Sequence, residues 1–118
     1  MKKVFLLAVT LIVFSCGENE KDPEWLLSES EMVELLLDFR LAEGRATNLG
    51  INEDSAVVVF KALERNVFKV HQVDSSVYKE SYQYYILRPE RAMVIFDAVL
   101  DSLNVIQKRA LAATKKTP

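Results

Sequence analysis

SESEMVELLLDFRLAEGRA, residues 28–46, decides the fold. Ser28 followed three residues later by Glu31 is the capping-box pattern. The serine hydroxyl meets one free amide of the first turn, and the glutamate reaches back to the cap amide. Leu27, just before it, is placed to staple onto that first turn. Met32, Leu35, Leu36, Phe39, Ala42 and Ala46 then recur at intervals of three and four, one face of a 3.6-residue helix. Glu34, Asp38 and Arg45 fall off that face. Asn48 and Gly50 are stop signals, glycine because it tolerates the left-handed conformation that closes a helix.

The rest of the chain repeats this grammar. Asn52-Glu53-Asp54-Ser55 places acids where the positive end of a helix dipole favours them. Ala56, Val59, Phe60, Leu63, Val67 and Val70 form the apolar face of a second helix. Val57-Val58-Val59-Phe60 has strand propensity, but Glu64 and Arg65 within a continued three/four rhythm favour helix. His71, near the end of this helix, is expected to cap carbonyls. A metal would need two or three further ligands. Asp74 caps a third, aromatic-rich helix in which Tyr78, Tyr82 and Tyr85 are spaced to share one face. Arg88-Pro89 breaks the pattern, and proline suits the first turn of the next helix. A fourth helix from about Glu90 to Ala112 carries a stripe of Ala92, Phe96, Val99, Leu103, Ile106 and Ala110. Met93, Ile95 and Leu100 widen the stripe, so this helix is expected to be the most buried. No internal repeat is present.

Working back from residue 28, Gly17 to Leu27 reads as a tether. It is polar, and Pro23 lacks the donor a helix interior requires. Trp25-Leu26-Leu27 is expected to tuck onto the domain. Before the tether stands a basic pair, Lys2-Lys3, then an apolar run of about eleven residues from Val4 to Phe14, then Ser15 and the single cysteine, Cys16. The run is too short to span a bilayer core, which needs roughly 20 residues. It has the form of a lipoprotein signal, with Ser15 as the small residue before the cut. Cys16 would then be the first mature residue, its sulfur carrying a diacylglycerol and its amino group a further acyl chain. Two or more chains anchor stably where one is marginal. The same modification removes the thiol from disulfide, redox or nucleophilic chemistry.

The expected fold class is therefore all-α: a small antiparallel bundle of three to four helices after an N-terminal signal peptide and flexible tether. The boundaries are 1–15 for the signal, 16–27 for the lipidated cysteine and tether, 28–112 for the helical domain and 113–118 for a disordered tail. With three glycines and three prolines, a turn-rich β domain is disfavoured. The 103 residues after the signal suffice for one domain. Acidic residues outnumber basic ones by 11 to 3 between Gly17 and Asp54, and basic outnumber acidic by 10 to 6 beyond. That modest, interspersed basic balance carries no sequence-reading motif, so no nucleic-acid partner is expected. Glu18, Glu20, Asp22 and Glu24 read either as an export tag to the cell surface or as a solvated spacer on the periplasmic side, the second being preferred.

The order of these signals resembles the bacterial family DUF4296, small lipoproteins found mainly in the Bacteroidetes group. The matching stretches are Pro23 to Leu27 leading into Met32-Val33-Glu34-Leu35-Leu36-Leu37-Asp38, then Leu41-Ala42-Glu43, Val67 to Asp74, and Ser81-Tyr82-Gln83-Tyr84-Tyr85 before Pro89. Gly44 departs from the family's usual helix former, at a cost of about 1 kcal/mol against alanine. The resemblance implies a fold and an envelope location, and brings no catalytic residues.

No phosphate-cradling glycine loop, metal-ligand cluster or cofactor motif is present in the sequence. The one-turn acid pairs Glu34/Asp38 and Asp97/Asp101 read as solvated faces rather than paired-carboxylate chemistry. The leading functional expectation is a non-catalytic lipoprotein anchored at the outer membrane through Cys16, an accessory or scaffold subunit of an envelope protein assembly. The alternative is a module binding a small apolar or glycan ligand through Tyr78, Tyr82 and Tyr85. An enzyme would require Asp38, His71 and a tyrosine to converge in a cleft.

Overall fold

The computed structural model describes residues 21–116, and these form four α-helices with no strand among them. They are α1 Glu29–Thr47, α2 Glu53–His71, α3 Ser75–Ile86 and α4 Pro89–Lys115. The expected all-α antiparallel bundle is the fold. The leader, Cys16 and the first tether residues lie outside the described residues, as do Thr117 and Pro118.

The helix starts follow the sequence chemistry. Glu31 N–H donates to Ser28 Oγ at 3.1 Å, and Ser28 N–H donates to Glu31 Oε2 at 2.8 Å, completing the capping box of α1. Asn52 Oδ1 accepts from Ser55 N–H at 2.8 Å to start α2, and Asp74 Oδ1 accepts from Ser76 N–H at 3.0 Å to start α3. Pro89 opens α4 without a side-chain cap. Val57 to Phe60, ambiguous by propensity, is helix.

The stops are more varied. Gly50 supplies a positive φ of 68° after α1. After α2 the left-handed position is filled by Gln72 at φ 56°, and Val73 N–H donates back to Phe68 O at 3.0 Å. That closure turns the chain within three residues and brings Val73 against the core. α1 continues through Gly44, where an added Cβ would meet nothing within 4 Å.

α1 is the hub, packed along both α2 and α4. Its Met32 and Leu35 are each 1% exposed and join Leu27, Tyr85 and Ile95 in the central apolar cluster. α4 was expected to be the most buried helix, and here the structure corrects the sequence reading. α1 buries Met32, Leu35, Ala42 and Ala46, whereas α4 buries only Ala92, Ile95 and Val99. Every residue from Asn104 to Lys116 is exposed, Ile106 and Ala110 of the expected stripe included. α4 has 27 residues against 19 in α1 and α2. At 1.5 Å per residue it outruns its partners by about 12 Å. It also holds its helix to Lys115, past the expected boundary at Ala112, with Thr114 Oγ1 donating to the carbonyls of Ala110 and Leu111. In α2, Val70 was assigned to the apolar face and is 68% exposed, lining an open cleft with Asp38 and Ala42 of α1.

Leu35→Ala should cost about 2–5 kcal/mol, the range for emptying a leucine site in a closed core. Val70→Ala should change stability by less than about 0.5 kcal/mol, as exposed positions do. Urea unfolding of the two variants checks the assignment, and comparable losses would contradict it.

Candidate functional site

Three side-chain constellations stand out. The first is where the chain enters the domain. Trp25-Leu26-Leu27, the end of the tether, was expected to tuck onto the domain; it does so as part of a strap, Asp22 to Leu27, fastened across α3 and α4. Arg91 donates from Nη1 and Nη2 to the two carboxylate oxygens of Asp22, at 2.6 and 3.0 Å, and from Nε to Glu29 Oε1 at 2.8 Å. This planar fork is the geometry guanidinium offers and ammonium does not. Tyr84 Oη donates to Asp22 Oδ1 at 3.1 Å. The Tyr84 ring lies between the Trp25 edge, 6.2 Å away, and the Arg88 guanidinium, 3.5 Å above its centroid. Deeper in, Leu27 N–H donates to Ser81 Oγ at 3.1 Å, and Tyr85 Oη donates to Leu27 O at 2.6 Å. Asp22 to Leu27 thus pack with the four helices.

The second constellation is an aromatic groove between α1, α2 and α3. Phe39, Phe68 and Tyr78 form a triangle of edge-on rings with centroids 5.1, 5.1 and 5.6 Å apart. Tyr82 continues the row 6.1 Å from Tyr78. The groove has a volume of about 590 Å³, and Arg40, Glu43, Glu64, Arg65 and Lys79 stand among its charged lining. Burial pushes the Tyr78 hydroxyl up to about 12, with the neighbouring Tyr82 and Glu64 acting in the same direction. Of the three tyrosines expected on one binding face, Tyr78 and Tyr82 line this groove. Tyr85 does not: it is 3% exposed, in the core beneath the strap. Spacing at four and three put all three on one side of α3, but it did not say that the strap covers one end of that side.

The third is the pair Asp38 and His71, which were not expected to meet. His71 Nε2 lies 2.6 Å from Asp38 Oδ2, joining the middle of α1 to the end of α2. His71 thus spans two helices, and α2 is closed by Gln72. An aspartate-oriented imidazole is half of an acid–base constellation. The cleft beside Asp38 is lined by Leu41, Ala42, Arg45, Leu63, Asn66, Val67 and Val70, and contains no tyrosine. Among the described residues no group of three or more His, Cys, Asp or Glu could hold a metal ion.

Sequence reasoning missed Ser81 and Arg91. Ser81 is fully buried at 0% exposure, one turn before Tyr85. A small polar residue inside an aromatic helix face was the available signal. Arg91 had none: its partners lie 62 and 69 residues away.

A family model described as Domain of unknown function (DUF4296) matches residues 23–109, well over half of the chain. No curated protein and no solved structure matches. The matched span begins at the strap, not at α1.

The strap should release in acid. Hydrogen bonding from Arg91 holds the Asp22 carboxyl below its ordinary value of 3.8. A carboxylate with a depressed folded value stabilises the docked state above its unfolded value and loses that contribution as pH falls through the folded one. Trp25, the one tryptophan, reports the docking. Its fluorescence should change below about pH 4, before global unfolding, and Asp22→Asn should abolish that early transition. A single transition coincident with unfolding in both proteins would contradict this.

Proposed function

The chain belongs to the DUF4296 family, and for this member we propose a non-catalytic envelope lipoprotein. It is anchored at the outer membrane by acyl chains on Cys16, faces the periplasm, and serves as an accessory or scaffold subunit of a protein assembly. The observation that carries the reading is the docked strap. With Asp22 to Leu27 fastened to α3 and α4, only residues 17–21 separate Cys16 from the folded body. Five residues extend at most about 18 Å. A lipid on Cys16 would hold the domain close to the bilayer with the strap side toward it, which suits a subunit that presents a surface to a membrane-embedded partner. Among the described residues no helix is long and apolar enough to cross a membrane. The Arg91 fork is costly to assemble in a spacer with no positional duty, which favours this reading over a loose tether.

The groove supports a second reading, a binding module for a small apolar or glycan ligand. Its volume falls within the range of roughly 300–1,000 Å³ typical of ligand sites. Tyr78 and Tyr82 line it with aromatic surface.

Two variants separate the readings. Cys16→Ser should move the protein from the membrane fraction to the soluble fraction, and in-cell cross-linking should lose its envelope neighbours with it. Tyr78→Ala with Tyr82→Ala should leave those neighbours in place if the groove is not the contact. Unchanged membrane retention of Cys16→Ser would refute the anchor. Neighbours lost only with the tyrosines would favour the ligand or partner groove.

A further inference from the structure

α4 outruns the bundle with an apolar face that the rest of the described chain covers only in part, Phe96 meeting Tyr82 of α3 at 6.5 Å. Met93 and Leu100 are each 58% exposed, Phe96 39% and Leu111 58%. On a 100° helical wheel these four, with half-buried Leu103, fall within one quadrant of α4, a strip interrupted by Gln107 that runs from the bundle into the overhang. The strip is flanked on one edge by a line of charges whose sign changes along the helix. Glu90, Asp97 and Asp101 come first, then Lys108 and Lys115. Asp97, Asp101, Lys108 and Lys115 make no ion pair with other described residues.

That order of charges selects the partner. In an antiparallel helix pair related by a two-fold axis, the same edge of each helix faces its counterpart run in reverse. The acidic first half of one α4 would then lie beside the basic second half of the other, twice over. A parallel pair would set like halves side by side and bring different edges together, losing the match. An anionic lipid surface fits the basic overhang alone. It would repel the acidic half, where Met93 and Leu100 stand exposed, and the overhang has no aromatic residue to seat in headgroups.

We propose that this surface binds a second copy of the same chain, with the two α4 helices antiparallel and Asp97 and Asp101 of each beside Lys108 and Lys115 of the other. The inference rests on α4 alone and does not depend on the lipid anchor or on the groove. The pairing is isologous, so it closes at two copies.

A charge-swap experiment on the full chain tests it, read as molar mass by sedimentation equilibrium in density-matched detergent. The unsubstituted chain should show a reversible monomer–dimer equilibrium. Asp97→Lys with Asp101→Lys should weaken the dimer roughly tenfold or more, through several like-charge contacts at once. Lys108→Asp with Lys115→Asp should do the same. An equimolar mixture of the two double variants should regain the original affinity as a heterodimer, and the chain carrying all four changes should regain it as a homodimer. All four sites are exposed, and circular dichroism should show unchanged helix content. The proposal is overturned if the unsubstituted chain stays monomeric, if it instead binds anionic vesicles through the basic overhang, or if the mixture fails to recover dimer.

Discussion

Both peptide groups of Leu27 are satisfied inside the core by side chains of one helix: its N–H by the Ser81 hydroxyl and its carbonyl by the Tyr85 hydroxyl. A buried backbone group left without a partner costs about 1–3 kcal/mol, so a chain entering a core needs such partners. The position of α3 depends on this exchange. α3 packs more lightly than the other helices, on α4 rather than along α1. The Leu27 bonds tie it to the residue just before the α1 cap. α1 then carries Met32 and Leu35 into the same cluster, and Ile95 brings α4. The entering strand of chain thus works as a fifth element that locks the others in register.

The outer layer reinforces the inner one with charge. Arg91 gathers Asp22 from the strap and Glu29 from the first turn of α1, so a single guanidinium links strap, α1 and α4. The pairs are partly exposed, and each alone would contribute little. Their value is geometric: the fork fixes where the strap begins. On the far side of α1, Asp38 and His71 make a comparable link to α2. His71 and Arg91 both bridge separate elements. Each stitches elements that α1 alone would hold less tightly.

Local features were legible in the sequence and long-range ones were not. The capping box at Ser28 and Glu31, the Asn52 and Asp74 caps and the proline at the start of α4 were readable because each acts within a few residues. The apolar periodicity of α1 named its buried residues. The same periodicity misplaced burial on α4, since a stripe tells which face is apolar and not how far a neighbour extends beside it. Tyr85 and Val70 were misplaced in opposite directions: Tyr85 lies under a segment assigned to the tether, and Val70 stands exposed on an open cleft. Ser81, Arg91 and the Asp38–His71 contact depend on partners 33 to 69 residues away, which spacing along one helix cannot reveal.

Amide hydrogen exchange at Leu27 tests most directly whether the entering chain belongs to the fold. Under native conditions the Leu27 amide should exchange as slowly as those of Met32 and Leu35 in α1, because its opening requires separation of α3 from the core. Exchange at the rate of an unstructured peptide, with α1 still protected, would contradict a docked strap and return residues 22–27 to the status of a free linker.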